Sequence, residues 1–142
     1  MAIDMSTQEM EAFLGRTGPA LVGVVGTLRR NGSPHVVPVW YRWDGESVHI
    51  WSDEERAWVR NVEHDPRVAF SVQEVVPPFA AVVMHGRAEF TTQDPEVSQE
   101  IRRITRRYLP EAEVDGYIAR WPHLHGIVTI RPETIHAWAV GY

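Results

Sequence analysis

The sequence predicts a β-rich α+β fold: an antiparallel barrel of six or seven strands with three or four peripheral helices. Three observations carry this. Stretches with strand patterning outnumber those with helical periodicity. The tight-turn signals Arg30-Asn31-Gly32 and Asp44-Gly45 both fall between strand-like runs, as antiparallel neighbours require. The length, 142 residues, suits one compact domain over 1–142, and no internal repeat, linker or low-complexity tract divides it.

The elements follow in order. Ser6-Thr7-Gln8-Glu9 is a capping box, and Met10, Phe13 and Leu14 then fall at helical spacing, so a short helix runs to about Gly15. Gly18-Pro19 ends it. The nearly continuous apolar run ALVGVVGTL predicts a strand buried on both faces. Asn31-Gly32 supplies the positive φ angles of a hairpin, and a second strand runs from about Pro34 to Trp43. Asp44-Gly45 turns the chain into a third, from Ser47 to Ser52, making an antiparallel meander.

Asp53 is placed to cap a helix reaching His64, with Glu54 and Glu55 in its acidic first turn and Asp65-Pro66 as its stop. Two long strands, Arg67 to Val76 and Phe79 to Thr91, flank the Val76-Pro77-Pro78 break. A helix starts at Asp94-Pro95, with Val97, Ile101, Ile104 and Tyr108 as its apolar stripe. A short helix from Val114 to Trp121 follows, and the strands His125 to Arg131 and Thr134 to Val140 close the chain.

Composition narrows the function. The absence of cysteine removes disulfides, thiolate metal sites and cysteine nucleophiles, and it suits a reducing compartment. A net charge of −5 is the wrong sign for a nucleic-acid binder, although arginines cluster locally. No apolar run approaches the roughly 18–20 residues that span a bilayer, and the N-terminus lacks the basic and apolar regions of a signal peptide. A cytoplasmic location with no membrane contact is expected.

Phosphate-loop, dinucleotide-loop and HExxH motifs are absent, and Ser33 sits in a hairpin rather than a nucleophile elbow. His123 and His125 read as polar positions beside the Pro122 turn, because no carboxylate or third histidine stands near them in sequence; no metal site is expected. His35, His49, His85 and His136 read as half-buried, hydrogen-bonded imidazoles. The segment Trp51 to Phe70 carries two readings. A strand ends and a helix begins with Arg56 in its first turn, where amides and a guanidinium can hold a phosphate. Alternatively, Arg56 and Arg60 pair with Glu54, Glu55 or Glu63 on a solvated helix. The six tryptophans likewise fill a core or interface, or stack on a planar cofactor.

Four segments together carry a resemblance. They are G-S-P-H-V-V-P-V-W from Gly32 to Trp40, R-A-W-V-R-N-V-E-H-D-P-R-V from Arg56 to Val68, V-P-P-F-A-A-V-V-M-H-G-R-A-E-F from Val76 to Phe90, and P-E-T-I-H-A-W from Pro132 to Trp138. In this order the chain resembles the flavin-binding split β-barrels of the pyridoxamine 5′-phosphate oxidase-like superfamily, especially small actinobacterial members that use the deazaflavin F420. The likeness runs from about Ala20 to Gly141.

The resemblance implies a homodimer with two cofactor sites at its interface, each holding F420 or FMN. Ser52 and Arg56 match positions that hold the cofactor phosphate, and Val36, Val37, Pro38, Val39 and Trp40 match the strand beside the ring system. Pro78 and Phe79 lie in a segment, Pro77 to Ala81, that matches one near the ring, and Trp138 matches an aromatic packed on the cofactor. One position departs: Trp58 stands where the family commonly has a phosphate-binding lysine, and helical geometry argues against Arg60 replacing it. The implied activity is reduction of a small electron-poor molecule by hydride from reduced F420. An FMN-dependent oxidase or reductase, a non-enzymatic haem or cofactor binder, and a subunit that only dimerises are the alternatives. No catalytic residue is assigned; His85 and Tyr41 are the side chains considered for proton transfer.

Overall fold

The computed structural model describes residues 3–140. Its elements in chain order are β1 (Ile3–Asp4), α1 (Thr7–Leu14), β2 (Gly23–Leu28), β3 (Pro34–Val39), β4 (Arg42–Trp43), β5 (Val48–Ser52), α2 (Ala57–His64), β6 (Arg67–Gln73), β7 (Ala81–Thr91), α3 (Glu96–Tyr108), α4 (Glu111–Ala119) and β8 (Gly126–Val140). Seven strands form one antiparallel sheet in the order β3-β2-β6-β7-β8-β5-β4, and β1 adds to β8. The β-rich α+β expectation holds. No helix among the described residues is long and apolar enough to cross a membrane.

The order of strands forces the sheet to curl. β3 and β4 are its two edges, yet only Trp40 and Tyr41 separate them in sequence. Three peptide units span at most about 11 Å, so the edges must approach one another and the sheet becomes a barrel split along this seam. The end of α3 seals the split. The Tyr108 hydroxyl donates to the Leu21 carbonyl (2.7 Å) and accepts from the Tyr41 amide (3.2 Å). The Arg107 guanidinium donates to the carbonyls of Tyr41, Leu14 and Arg16 and lies over the Tyr41 ring, 4.6 Å from its centroid.

Two apolar clusters result. Inside the barrel, Val25, Phe70, Met84, Ile50 and Ile130 meet Trp58, Val59 and Val62, so α2 plugs the interior. Outside it, Val97, Ile101 and Ile104 of α3 pack on Ile127, and the predicted stripe on this helix is the observed one. Glu100 is carried inward by the same stripe, where Arg42 neutralises it through two hydrogen bonds of 2.5 and 2.7 Å. α4 is held more lightly. Val114 is its one buried residue, and its ion pairs to α3, Arg106–Glu111 and Arg102–Asp115, are exposed and worth roughly 0–1 kcal/mol each.

The capping box at Ser6 and Glu9 forms as expected, with bonds of 2.9 and 3.1 Å. Other expectations need correction. β2 is shorter than the apolar run and alternates, because only its inner face meets the core. In the Asn31-Gly32 hairpin only the glycine has positive φ; the Arg29 amide bonds to the Ser33 carbonyl and the loop is wider than a two-residue turn. The strand expected from Pro34 to Trp43 breaks at the seam, its halves pairing with β2 and β5 respectively. The helix expected from Asp53 starts at Ala57, since the Asp53 carboxylate instead accepts the Glu55 amide and closes a turn. Residues 74–80 form a loop, closed by the Glu74 amide on the Ala80 carbonyl, that shortens both flanking strands. α4 lies at Glu111–Ala119, earlier than expected, and the two closing strands are one. β8 bulges opposite His85 and Gly86, which pair with Thr134 and Pro132 and leave Glu133 extra. His123 and His125 lie in the loop before β8, and His85 and His136 are exposed rather than half-buried.

Candidate functional site

The seam, the end of β5 and the start of α2 together open a cleft of about 220 Å³. β3 and the residue after it contribute Val37, Pro38, Val39 and Trp40; the end of β5 contributes Trp51 and Ser52; the start of α2 brings Arg56 and Trp58. Ile104, Tyr117 and Leu124 complete the lining. Seven residues singled out from the sequence, Val37 to Trp40, Ser52, Arg56 and Trp58, thus share one cleft.

One end suits an anion. Arg56 is the N-cap of α2 and its side chain makes no cap hydrogen bond, so the first amides of the helix have no side-chain acceptor. The buried Asp53 carboxylate accepts from Arg56 Nε at 3.3 Å, which fixes the guanidinium while its side chain stays 51% exposed. The half-exposed Arg56 and the buried Ser52 line this end of the cleft together. Asp53 also offsets part of the arginine charge, so this end is less cationic than the sequence alone suggests.

The other end is aromatic. Trp40 stacks with Tyr108 (centroids 4.7 Å apart, planes at 6°) and with Tyr117 (5.2 Å, 26°), and Trp51 meets Tyr117 edge-on at 6.1 Å. The Trp51 indole N–H donates to the Leu124 carbonyl, which ties the loop before β8 to the cleft wall. Trp58 is only 5% exposed and belongs to the barrel core as well as to the cleft. It is an apolar wall, and no cation occupies the equivalent place. Arg60 folds back to donate to the Glu55 carbonyl at 2.7 Å but faces a separate depression with Arg30, Glu63 and His64.

Acid–base chemistry is sparse here. Among the described residues, Arg56 and Tyr117 are the only ionisable side chains in the lining, and no nucleophile there stands beside a base. Tyr41 does not reach the cleft. It is fully buried, its hydroxyl donates to the Leu14 carbonyl at 2.8 Å, and burial pushes its phenol up to about 12, so it transfers no proton near neutral pH. His85 is exposed on β7 and is likewise not part of the lining.

The remaining sequence-derived residues lie apart. Val36 is 66% exposed and points away from the barrel interior. Pro78 and Phe79 sit in the 74–80 loop, where Phe79 adopts a left-handed φ of 60° that a phenylalanine enters only at a cost. Trp138 lies near the end of β8, paired with Ala81. Sequence reasoning missed Asp53 as the anchor of Arg56, and Trp51, Ile104, Tyr117 and Leu124 as lining. Trp51 adjoins Ser52 and was open to a search for aromatics beside the anion site; Tyr117 carries no local signal.

A family model described as pyridoxamine 5′-phosphate oxidase matches residues 6–139. No curated protein matches the sequence. Among solved structures, a conserved hypothetical protein of Mycobacterium tuberculosis superposes with a TM-score of 0.78 at 20% identity, covering 96% of this chain and 86% of that one. An F420 reductase superposes with a TM-score of 0.67 at 27% identity, covering 88% and 94%. An FAD-binding protein of Mesorhizobium loti gives 0.71 at 17% identity, covering 100% and 98%.

Proposed function

The chain belongs to the pyridoxamine 5′-phosphate oxidase family, and from that premise we propose that it is a single-domain, cytoplasmic, homodimeric oxidoreductase that binds F420, with FMN as the second candidate. The observation that carries this is the cleft itself, which joins an anchored, half-exposed arginine and an uncapped helix start to a wall of aromatic rings. Those residues fit a phosphate-bearing planar cofactor. The likeness to an F420 reductase at 27% identity favours F420 over FMN.

In this reading the Arg56 fork and the first amides of α2 hold the phosphate, Asp53 fixes the fork, and Ser52 lies beside it. Val37, Pro38 and Val39 flank the ring system, and the aromatic wall keeps water from it. When bound in its reduced form, the cofactor would supply the hydride for a small electron-poor acceptor. The chain itself offers little for proton transfer, so protons come from solvent.

The cleft is smaller than the roughly 300–1,000 Å³ of typical ligand pockets. We assign its completion to a second copy, and place Pro78, Phe79 and Trp138 against the partner's cofactor. Val36, on the outer side of β3, belongs to the contact between copies rather than to the ring. Haem finds less support, because no histidine lines the cleft to serve as an axial ligand.

Parallel titrations with F420 and FMN, followed by tryptophan quenching, test the reading. Saturable binding of F420 in preference to FMN is the expected result. Preference for FMN moves the protein to the flavin side of the family, and binding of neither removes the cofactor role.

A further inference from the structure

Two tyrosines stack on Trp40, and they are held very differently. Tyr108 is fixed by hydrogen bonds to Leu21 and Tyr41 at the barrel seam. Tyr117 has no hydrogen bond from its hydroxyl to any described residue, and its ring meets those of Trp40, Trp51 and Trp121. It sits on α4, the helix with a single buried side chain, and follows Gly116, beside which a β-carbon would meet nothing within 4 Å.

Tyr117 also divides two spaces. On one side is the aromatic cleft; on the other is a wider depression of about 550 Å³ along α4, lined by Leu109, Glu113, Gly116 and Arg120. A planar ligand with its anion at Arg56 needs an aromatic face, and Tyr117 already stacks on Trp40 in that cleft. We propose that Tyr117 is a gate: its ring fills the ring-binding part of the cleft, and a planar ligand enters by displacing it toward the depression beside α4. This rests on the cofactor reading above for the identity of the ligand.

The gate exchanges one aromatic contact for another, so it weakens binding by the worth of the contact that is broken. Removing the ring should therefore tighten binding by about 2- to 12-fold and speed association. The experiment compares wild type, Tyr117→Ala and Tyr117→Phe by stopped-flow tryptophan fluorescence with F420 and with FMN, alongside acrylamide quenching of the ligand-free proteins. Tyr117→Leu replaces the alanine variant should that one melt α4.

Expected are greater acrylamide access in Tyr117→Ala, a wild-type association rate that levels off with ligand concentration, loss of that plateau in the alanine variant, and wild-type behaviour in Tyr117→Phe. Weaker binding by Tyr117→Ala would make the tyrosine a stacking platform and overturn the gate. Unchanged affinity and rate would overturn it too, while leaving cofactor binding by the wild type intact. If no variant binds either probe, the cofactor reading fails and the gate falls with it.

Discussion

Arg56 stands at the turn before its helix rather than within the helix. Its backbone is extended at the N-cap, and Asp53, four residues before the helix begins, supplies the acceptor that aims it. Removing the guanidinium takes away a charge-assisted fork without touching the core. Arg56→Ala is therefore expected to weaken F420 binding by about 1–3 kcal/mol, measured by the same quenching titration, and to lower the melting temperature as well, because the buried Asp53 carboxylate loses its cation. An unaltered dissociation constant would take Arg56 out of the site. The residues around it show what sequence can and cannot tell. Arg56 was legible because one short strand–turn–helix segment carries it, and Ser52 only through the family resemblance of that segment. Tyr117 was not, because it reaches the cleft only through the packing of α3 and α4 on the outside of the sheet. Asp53 was legible as a cap and misread in kind: it caps a turn and an arginine, and not a helix.

At the scale of elements, most strands and all four helices follow from local pattern, while the errors cluster where tertiary geometry overrides it. The long closing strand looks like two because Arg131-Pro132-Glu133 interrupts its pattern with a proline. β8 tolerates Pro132 at a bulge, where the regular ladder is already broken and a missing N–H costs little. Gly86 is the other half of that arrangement. A β-carbon there would collide with the Arg131 carbonyl and lie 2.8 Å from Pro132 Cα, both of them backbone and unable to turn aside. Gly86→Ala should thus destabilise the protein by about 1–3 kcal/mol through forced separation of β7 and β8. Thermal unfolding would read this as a drop of several degrees, and an unshifted midpoint would mean that the bulge yields freely. The break between β3 and β4 is the complementary case. Nothing local marks Trp40 and Tyr41, since the interruption comes from closing the barrel.

At the scale of the whole molecule, the helices leave one sector of the barrel bare. α2 plugs the interior and α3 covers β5 and β8, whereas the outer faces of β3, β2, β6 and β7 align Val36, Gly26, Ala69 and His85 in one row and Pro38, Val24, Ser71 and Val83 in the next. Six of these eight residues are apolar, and together with Ser71 and His85 they make a largely apolar face that is costly to leave in water. The 74–80 loop, which holds the strained Phe79, exposes Val75 and Val76 as well. Proposed as the contact between two copies, this face explains why the cleft of one chain is small and why Pro78, Phe79 and Trp138 stand away from it. Val36→Glu places a carboxylate on this face, on a side chain 66% exposed in the single chain, so it should leave the protomer fold intact. Light scattering at micromolar concentration is expected to show a dimer for the wild type and a monomer for the variant, with F420 affinity lost alongside. A variant that stays dimeric would move the interface elsewhere. A monomer that binds F420 unchanged would confine the site to one chain and remove Pro78, Phe79 and Trp138 from it.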